Sequence, residues 1–184
     1  ESIIQGTFNP DIFTAALGPV ISYYHRQSDT AIDTIYTDAE AFFRDATYPT
    51  DGLRTTLRSV FSRIAGDASV PSIYRLETAF GGGKTHTLIA CTHIAYRGTE
   101  LADVTRDILA PELLPVPGTV GVVGIAGDEL PVQRTPGAQL VPYTLWGDMA
   151  YQIGGEELYH AVQDDAESFA APGRNFFERV LGDK

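Results

Sequence analysis

The chain has little cysteine, little lysine and no long apolar run, and each shortage excludes a class of protein. The single cysteine among 184 residues, Cys91, rules out an intrachain disulfide. It sits in an apolar helical pattern rather than beside the partners that would mark a nucleophile or a zinc ligand. Such usage fits a reducing compartment, and we expect the cytoplasm. Lysine occurs only as Lys84 and Lys184, so nearly all the basic residues are arginines. Thirteen Lys and Arg against 24 Asp and Glu leave a net charge of −11 and a pI near 4.6. A general nucleic-acid coat is excluded, because neutralising phosphates takes clustered cations. No stretch reaches the roughly 18 uninterrupted apolar residues that cross a bilayer. The best candidate, Ile12 to Ile21, is broken by Thr14, Gly18 and Pro19. The opening Glu1-Ser-Ile-Ile-Gln has neither the basic start nor the apolar region of a signal peptide. With Glu rather than Met in first place, the chain is expected to begin inside a longer reading frame.

What is present is enough for one core: 43% apolar and 10% aromatic residues. Residues 1–36 are weakly patterned and read as an N-terminal helical arm. From Thr37 the signals sharpen. Thr37 and Glu40 have capping-box spacing ahead of Ala41-Phe42-Phe43 and predict a short helix over 38–45. Beyond Tyr48-Pro49-Thr50, the spacing of Leu53, Leu57, Val60, Phe61 and Ile64 predicts an amphipathic helix ending near Gly66. Alternation over Pro71 to Thr78 predicts a strand. A helix follows Lys84, carrying Leu88, Ile89, Cys91 and Ile94 and stopping at Gly98. Further helices are predicted over 100–109, 144–153, 155–168 and 173–181, and a second strand over 120–125. No internal repeat or low-complexity tract interrupts them.

One segment carries chemistry. Strand, glycine cluster and helix follow one another over residues 71–97, the order that a phosphate-binding loop demands. Gly83-Lys84-Thr85 matches the end of G-x-x-x-x-G-K-[ST]. Gly83 lets the backbone close on phosphates, Lys84 reaches the β and γ oxygens, and the Thr85 hydroxyl can ligate Mg²⁺. The first glycine of the motif is replaced by Thr78, while Gly81 and Gly82 add freedom on the exit side. The candidate nucleotide-binding residues are Phe80, Gly81, Gly82, Gly83, Lys84, Thr85 and His86, with ATP and Mg²⁺ as the expected ligands.

Other candidates are weaker. His86 and His93 lie seven residues apart on one helix face, about two turns, which is too far for one metal without a ligand between them. They read as packing or hydrogen-bonding groups. Asp128-Glu129 follows the second predicted strand, where a carboxylate pair could hold Mg²⁺ (Asp128) and orient water (Glu129); a loop turn is the other reading. Asp164-Asp165 reads as a solvated helix end, and Trp146, Met149 and Ile153 as core. Arg134, Arg174 and Arg179 could supply an arginine finger, and nothing ranks them.

Leu76-Glu-Thr-Ala-Phe-Gly-Gly-Gly-Lys-Thr-His86 is preceded by Phe42-Phe43 and Tyr48-Pro-Thr-Asp-Gly-Leu53. It is followed by Thr144-Leu-Trp-Gly-Asp-Met-Ala-Tyr-Gln-Ile-Gly-Gly155 and Ala171-Pro-Gly173. Together these resemble the large ATP-binding proteins of domain-of-unknown-function family 499, over roughly residues 10–182. That family looks like the ATPases of prokaryotic phage defence, including phage-growth-limitation and bacteriophage-exclusion relatives often encoded beside DNA methyltransferases. The resemblance implies that Thr78 is ordinary in its place. It also implies that the acidic Walker B strand comes beyond Lys184, which makes Asp128-Glu129 a decoy.

The expectation is therefore an α/β chain. A partial P-loop NTPase core with parallel strands and flanking helices occupies 37–184, preceded by the arm of 1–36, with Walker A present. Its function would be ATP and Mg²⁺ binding in the N-terminal portion of a larger defence ATPase. Its partners would be the rest of the same polypeptide and, by resemblance, a DNA methyltransferase or other defence subunits, with no membrane and no direct DNA contact. A non-hydrolysing nucleotide-binding scaffold is the first alternative. A small-molecule P-loop kinase is the second, although about 80 residues precede the loop, where such enzymes usually have few.

Overall fold

Apolar stripes and side-chain caps divide the chain into helices. The computed structural model describes residues 15–25, 35–77, 82–127, 130–131 and 140–182. They belong to two units, Glu1–Val122 and Val123–Lys184. In the first unit, α1 (Leu17–His25) lies within the stretch read as an arm and buries Val20 and Ile21. α2 (Ala39–Ala41) is capped by Asp38, whose carboxylate accepts from the amides of Glu40 and Ala41 at 3.0 Å each. The expected capping box on Thr37 is thus replaced by a cap one residue later. The chain continues from α2 through a π-type turn, Phe42–Ala46, that buries both phenylalanines. α3 (Asp51–Ile64) begins where the Thr50 hydroxyl accepts from the Leu53 amide at 3.2 Å. Its stripe of Leu53, Leu57 and Phe61 is buried as the spacing predicts, while Ile64 is exposed.

α4 (Lys84–Arg97) is the central helix of this unit and packs against both α1 and α3. Ile89, Ala90, Thr92, His93, Ile94 and Ala95 are all buried on it, a wider face than the predicted stripe, while Leu88 is exposed. Burying an aliphatic or aromatic side chain of this size stabilises the fold by about 1.5–3 kcal/mol. The core that closes around α4 includes Phe42, Leu57, Phe61 and Leu101. Beyond Gly98 the predicted helix of 100–109 is a 3₁₀ turn, Gly98–Leu101, and one α-helical turn, α5 (Ala102–Thr105).

The second unit is built on α6 (Leu145–Ala161), which starts at Thr144 and is kinked at Gly154-Gly155, where two helices were predicted to part. The Thr144 hydroxyl accepts from the Gly147 amide at 2.9 Å and donates to the Ala166 carbonyl, tying the start of α6 to α7 (Gln163–Ala166). α8 (Arg174–Leu181) buries Phe176 and Val180 against Ala150, Tyr159 and Val162. Trp146, Met149 and Ile153 pack on the same cluster, in line with their reading as core.

The expectation of an α/β core with parallel strands is overturned, since every regular element among the described residues is a helix or a helical turn. The two predicted strands fail for different reasons. A strand exists only by backbone pairing with a neighbour, and residues 71–77 run over the surface with none among the described residues. Ile73 is 85% exposed there, and Arg75 and Glu77 form an ion pair of 2.5 Å in solvent. Over 120–125 the backbone groups that a ladder would use are taken by side chains. The Val122 carbonyl accepts from the Nε2–H of His25 at 3.1 Å and the hydroxyl of Tyr96 at 3.4 Å. The amide of Gly124 donates to Oε1 of Gln152 at 3.0 Å, and its carbonyl accepts from Nε2 of the same side chain at 2.9 Å. No helix of the described residues is long and apolar enough to cross a membrane.

Candidate functional site

The glycine loop meets α4 at Gly83, whose φ of +76° and ψ of 16° lie in the left-handed region. Only glycine adopts that conformation without strain, which explains the residue type from the backbone alone. Gly83 accepts twice from Thr87, from its amide and from its hydroxyl, each at 2.9 Å. Having no side chain, it leaves the first turn of a 14-residue helix without a side-chain cap. The amides at such a turn and the aligned peptide dipoles favour an anion.

That turn opens onto a cleft of about 470 Å³. Gly82, Gly83, Lys84, His86 and Thr87 line it from the loop and α4, and Leu76 from the segment before the loop. Ala46, Tyr48, Thr50, Gly52, Leu53 and Thr56 line it from the π-type turn and α3. Lys84 is the charged side chain among these. Thr85 is half-buried on the same turn of α4 but is not among the lining residues. Phe80 and Gly81 lie outside the described residues, as do Thr78 and the pair Asp128-Glu129.

His86 lines the cleft and is also held from behind. Its ring stacks on Phe42 with centroids 4.4 Å apart, and its Nε2 lies 2.9 Å from the Thr47 hydroxyl. That hydroxyl donates its one proton to the Phe42 carbonyl at 2.8 Å. The hydroxyl must then accept from the imidazole, so Nε2 carries the hydrogen. Burial lowers the His86 pKa from its ordinary value, favouring the neutral ring. His93 is fully buried and turned away to the core. Its Nε2–H donates to the Tyr36 carbonyl at 2.9 Å, and its Nδ1 accepts from the Tyr24 hydroxyl at 2.7 Å. The sequence reading of both histidines as packing and hydrogen-bonding groups fits these contacts.

The remaining candidates are scattered. Asp164 and Asp165 occupy the first turn of α7. Arg174 pairs with Glu178 at 2.7 Å, Arg179 donates to the Ala161 carbonyl, and Arg134 lies outside the described residues. Cys91 is held up at about 11 by burial, far from a reactive thiolate. Sequence reasoning missed Tyr48, Thr50, Thr56 and Leu76 as cleft residues. Tyr48-Pro49-Thr50 reads as a helix break, and the signal that set Tyr48, Thr50 and Leu76 apart was their place in the segments that carry the resemblance.

The DUF499 N-terminal domain matches residues 19–113, just over half of the chain. The matched span includes all but the first two residues of α1, and the π-type turn, α3, the glycine loop and all of α4. The segments at 144–155 and 171–173 that carried part of the resemblance lie beyond it. No curated protein and no solved structure matches the chain.

Proposed function

The chain belongs to the DUF499 family, and on that premise we propose that its glycine loop binds ATP with Mg²⁺, as the nucleotide-binding portion of a larger phage-defence ATPase. The observation that carries the binding proposal is Gly83. It stands in the left-handed conformation at the uncapped start of α4, directly before Lys84 and Thr85, on a cleft of about 470 Å³. Those features suit a polyphosphate: amides and the helix dipole for the phosphate oxygens, and Lys84 as a point charge. The volume lies within the roughly 300–1,000 Å³ of small-molecule sites. The Thr85 hydroxyl is the group that would hold Mg²⁺, which would neutralise phosphate charge. His86, tied to Thr47 and Phe42, acts behind the turn as an anchor. The defence role rests on the resemblance of the glycine-loop and Trp146 segments. Any partner methyltransferase belongs to that same proposal, as does turnover by the intact protein. With a net charge of −11, this chain is given no DNA contact of its own.

The test is a thermal melt of the 184-residue chain with and without ATP and Mg²⁺, for wild type and Lys84→Ala. Ligand at 100 times its Kd adds about 2.7 kcal/mol, or roughly 5 to 11 °C in Tm for a chain of this size. Lys84→Ala is expected to lose the shift. Identical curves with and without millimolar nucleotide, for both proteins, would overturn the proposal.

A further inference from the structure

The cleft at the glycine loop holds two kinds of chemistry, and a bare phosphate uses only one. Alongside Gly82, Gly83 and Lys84 it is lined by an aromatic residue, Tyr48, by apolar Leu53 and Leu76, and by Thr56. Tyr48 is 82% exposed, although it follows closely on the buried Phe42 and Phe43. Its backbone is held on both sides. The π-type turn ends at Ala46, Pro49 fixes the next φ, and the Thr50 amide donates to the Tyr48 carbonyl at 2.8 Å just where Thr50 caps α3. The ring is therefore an open flat surface on a fixed backbone at the edge of the cleft.

Of the six threonines in the described α-helices of this unit, Thr55, Thr56 and Thr85 make no side-chain bond to the preceding turn, and of those three Thr56 alone lines the cleft. Thr87, Thr92 and Thr105 each donate their hydroxyl to the carbonyl four residues earlier, at 2.8 to 2.9 Å. Thr56 is half-buried on α3 and has no hydrogen-bond partner among the described residues, so its hydroxyl is available to the cleft. A ligand that uses everything here has a polyanionic part for Lys84, a flat aromatic part for Tyr48 and a polar edge for Thr56.

Resting on the phosphate-binding reading above, we propose that Tyr48, with Leu53, Leu76 and Thr56, forms the base pocket of the site. Tyr48 stacks on the base and Thr56 hydrogen-bonds the base or its ribose, so the cleft takes a nucleoside triphosphate in preference to a free polyphosphate. Stacking a base on an aromatic side chain contributes enough for Tyr48→Ala to weaken ATP binding roughly 5- to 150-fold. Loss of one neutral hydrogen bond in Thr56→Val weakens it about 2- to 10-fold.

The experiment is a calorimetric titration of the 184-residue chain with ATP and, separately, with inorganic triphosphate, both with Mg²⁺. The proteins are wild type, Tyr48→Ala, Tyr48→Phe, Thr56→Val and Lys84→Ala. The expected result is that Tyr48→Ala and Thr56→Val weaken ATP and leave triphosphate unchanged. Tyr48→Phe keeps ATP binding near wild type, and Lys84→Ala weakens both ligands. If Lys84→Ala weakens both while Tyr48→Ala leaves ATP unchanged, the base pocket is refuted and phosphate binding by the loop stands. If neither ligand binds wild type, or Lys84→Ala changes nothing, the phosphate-binding reading fails and takes the base pocket with it. Equal losses of ATP and triphosphate in Tyr48→Ala would make Tyr48 a support of the loop and also refute the base pocket.

Discussion

His93 makes the first unit sensitive to acid, by an amount that the structure lets one work out. The ring is fully buried, hydrogen-bonded at both nitrogens, and stands among Tyr24, Tyr36, Phe42 and Phe43. Burial, the largest effect, lowers its pKa to about 4. The hydrogen bond to the Tyr36 carbonyl opposes this, Arg97 reinforces it, Asp38 opposes it and His86 reinforces it. In the unfolded chain the ring titrates near its ordinary value of about 6.5. As pH falls below that value the unfolded chain takes up the proton first, so stability is full above pH 6.5 and is lost progressively down to about pH 4. The gap of about 2.5 pH units corresponds to about 3 kcal/mol in all, of which about 2 kcal/mol falls between pH 7 and pH 5. His86, whose pKa burial also lowers, adds a loss of the same sign, so the contribution of His93 has to be isolated by difference. The measurement is urea unfolding followed by helical circular dichroism at pH 7 and pH 5, for wild type and His93→Gln. Wild type should lose about 2 kcal/mol more than the variant over that interval, whatever the variant loses at pH 7. Equal losses in the two proteins would refute the argument that the buried imidazole stays neutral in the fold.

Two further outcomes follow from backbone geometry and burial. Gly98, at φ +39°, ends α4 where an added Cβ would stand 1.8 Å from the Pro115 carbonyl oxygen, the same oxygen that accepts from the Thr99 amide at 3.0 Å. Gly98→Ala should lower the unfolding free energy in urea by about 3 kcal/mol or more, whereas Gly66→Ala, at φ +102° with open space around it, should lose only about 1–2 kcal/mol; equal losses would contradict the close approach. Cys91, with its thiol at about 11, should be alkylated at pH 8 about 100-fold more slowly in the native chain than in urea, and comparable rates would contradict its burial.

α3, α4 and α6 were legible because each is written twice, once in spacing and once in a boundary residue. Leu53, Leu57 and Phe61 recur on one face of α3, and Thr50 stands where its hydroxyl can cap it. Gly98 and the Gly154-Gly155 pair mark the end of α4 and the kink of α6 by the same local rules. The strands were misread because alternation is a statement about two faces and says nothing of a partner. Residues 71–77 alternate, yet Ile73 and Tyr74 are both exposed, and no described strand pairs with them. The apolar run of 120–125 failed for a reason no local window contains. His25 and Tyr96 converge on Val122, and the amide of Gln152 closes a two-bond pair with Gly124 from 28 residues away.

The candidate site divides along the same line. Gly83 and Lys84, which line the cleft, were legible because a glycine loop entering a helix is a contiguous motif whose residue types follow from backbone conformation and charge, whereas Thr85 of the same motif is not among the lining residues. Tyr48 and Thr56 were not legible in that way, because what makes them part of the cleft is the packing of α3 and the π-type turn beside the start of α4, a juxtaposition with no sequence period. His86 shows how the two kinds of information meet. Its place in the motif suggested a ligand-binding residue, but Phe42 and Thr47, some 40 residues earlier, hold its ring from the other side and fix which nitrogen carries the hydrogen. Its contribution to any bound phosphate would therefore pass through the first turn of α4, whose orientation it secures to the same turn of chain that leads into Tyr48. The two halves of the cleft are joined at that ring.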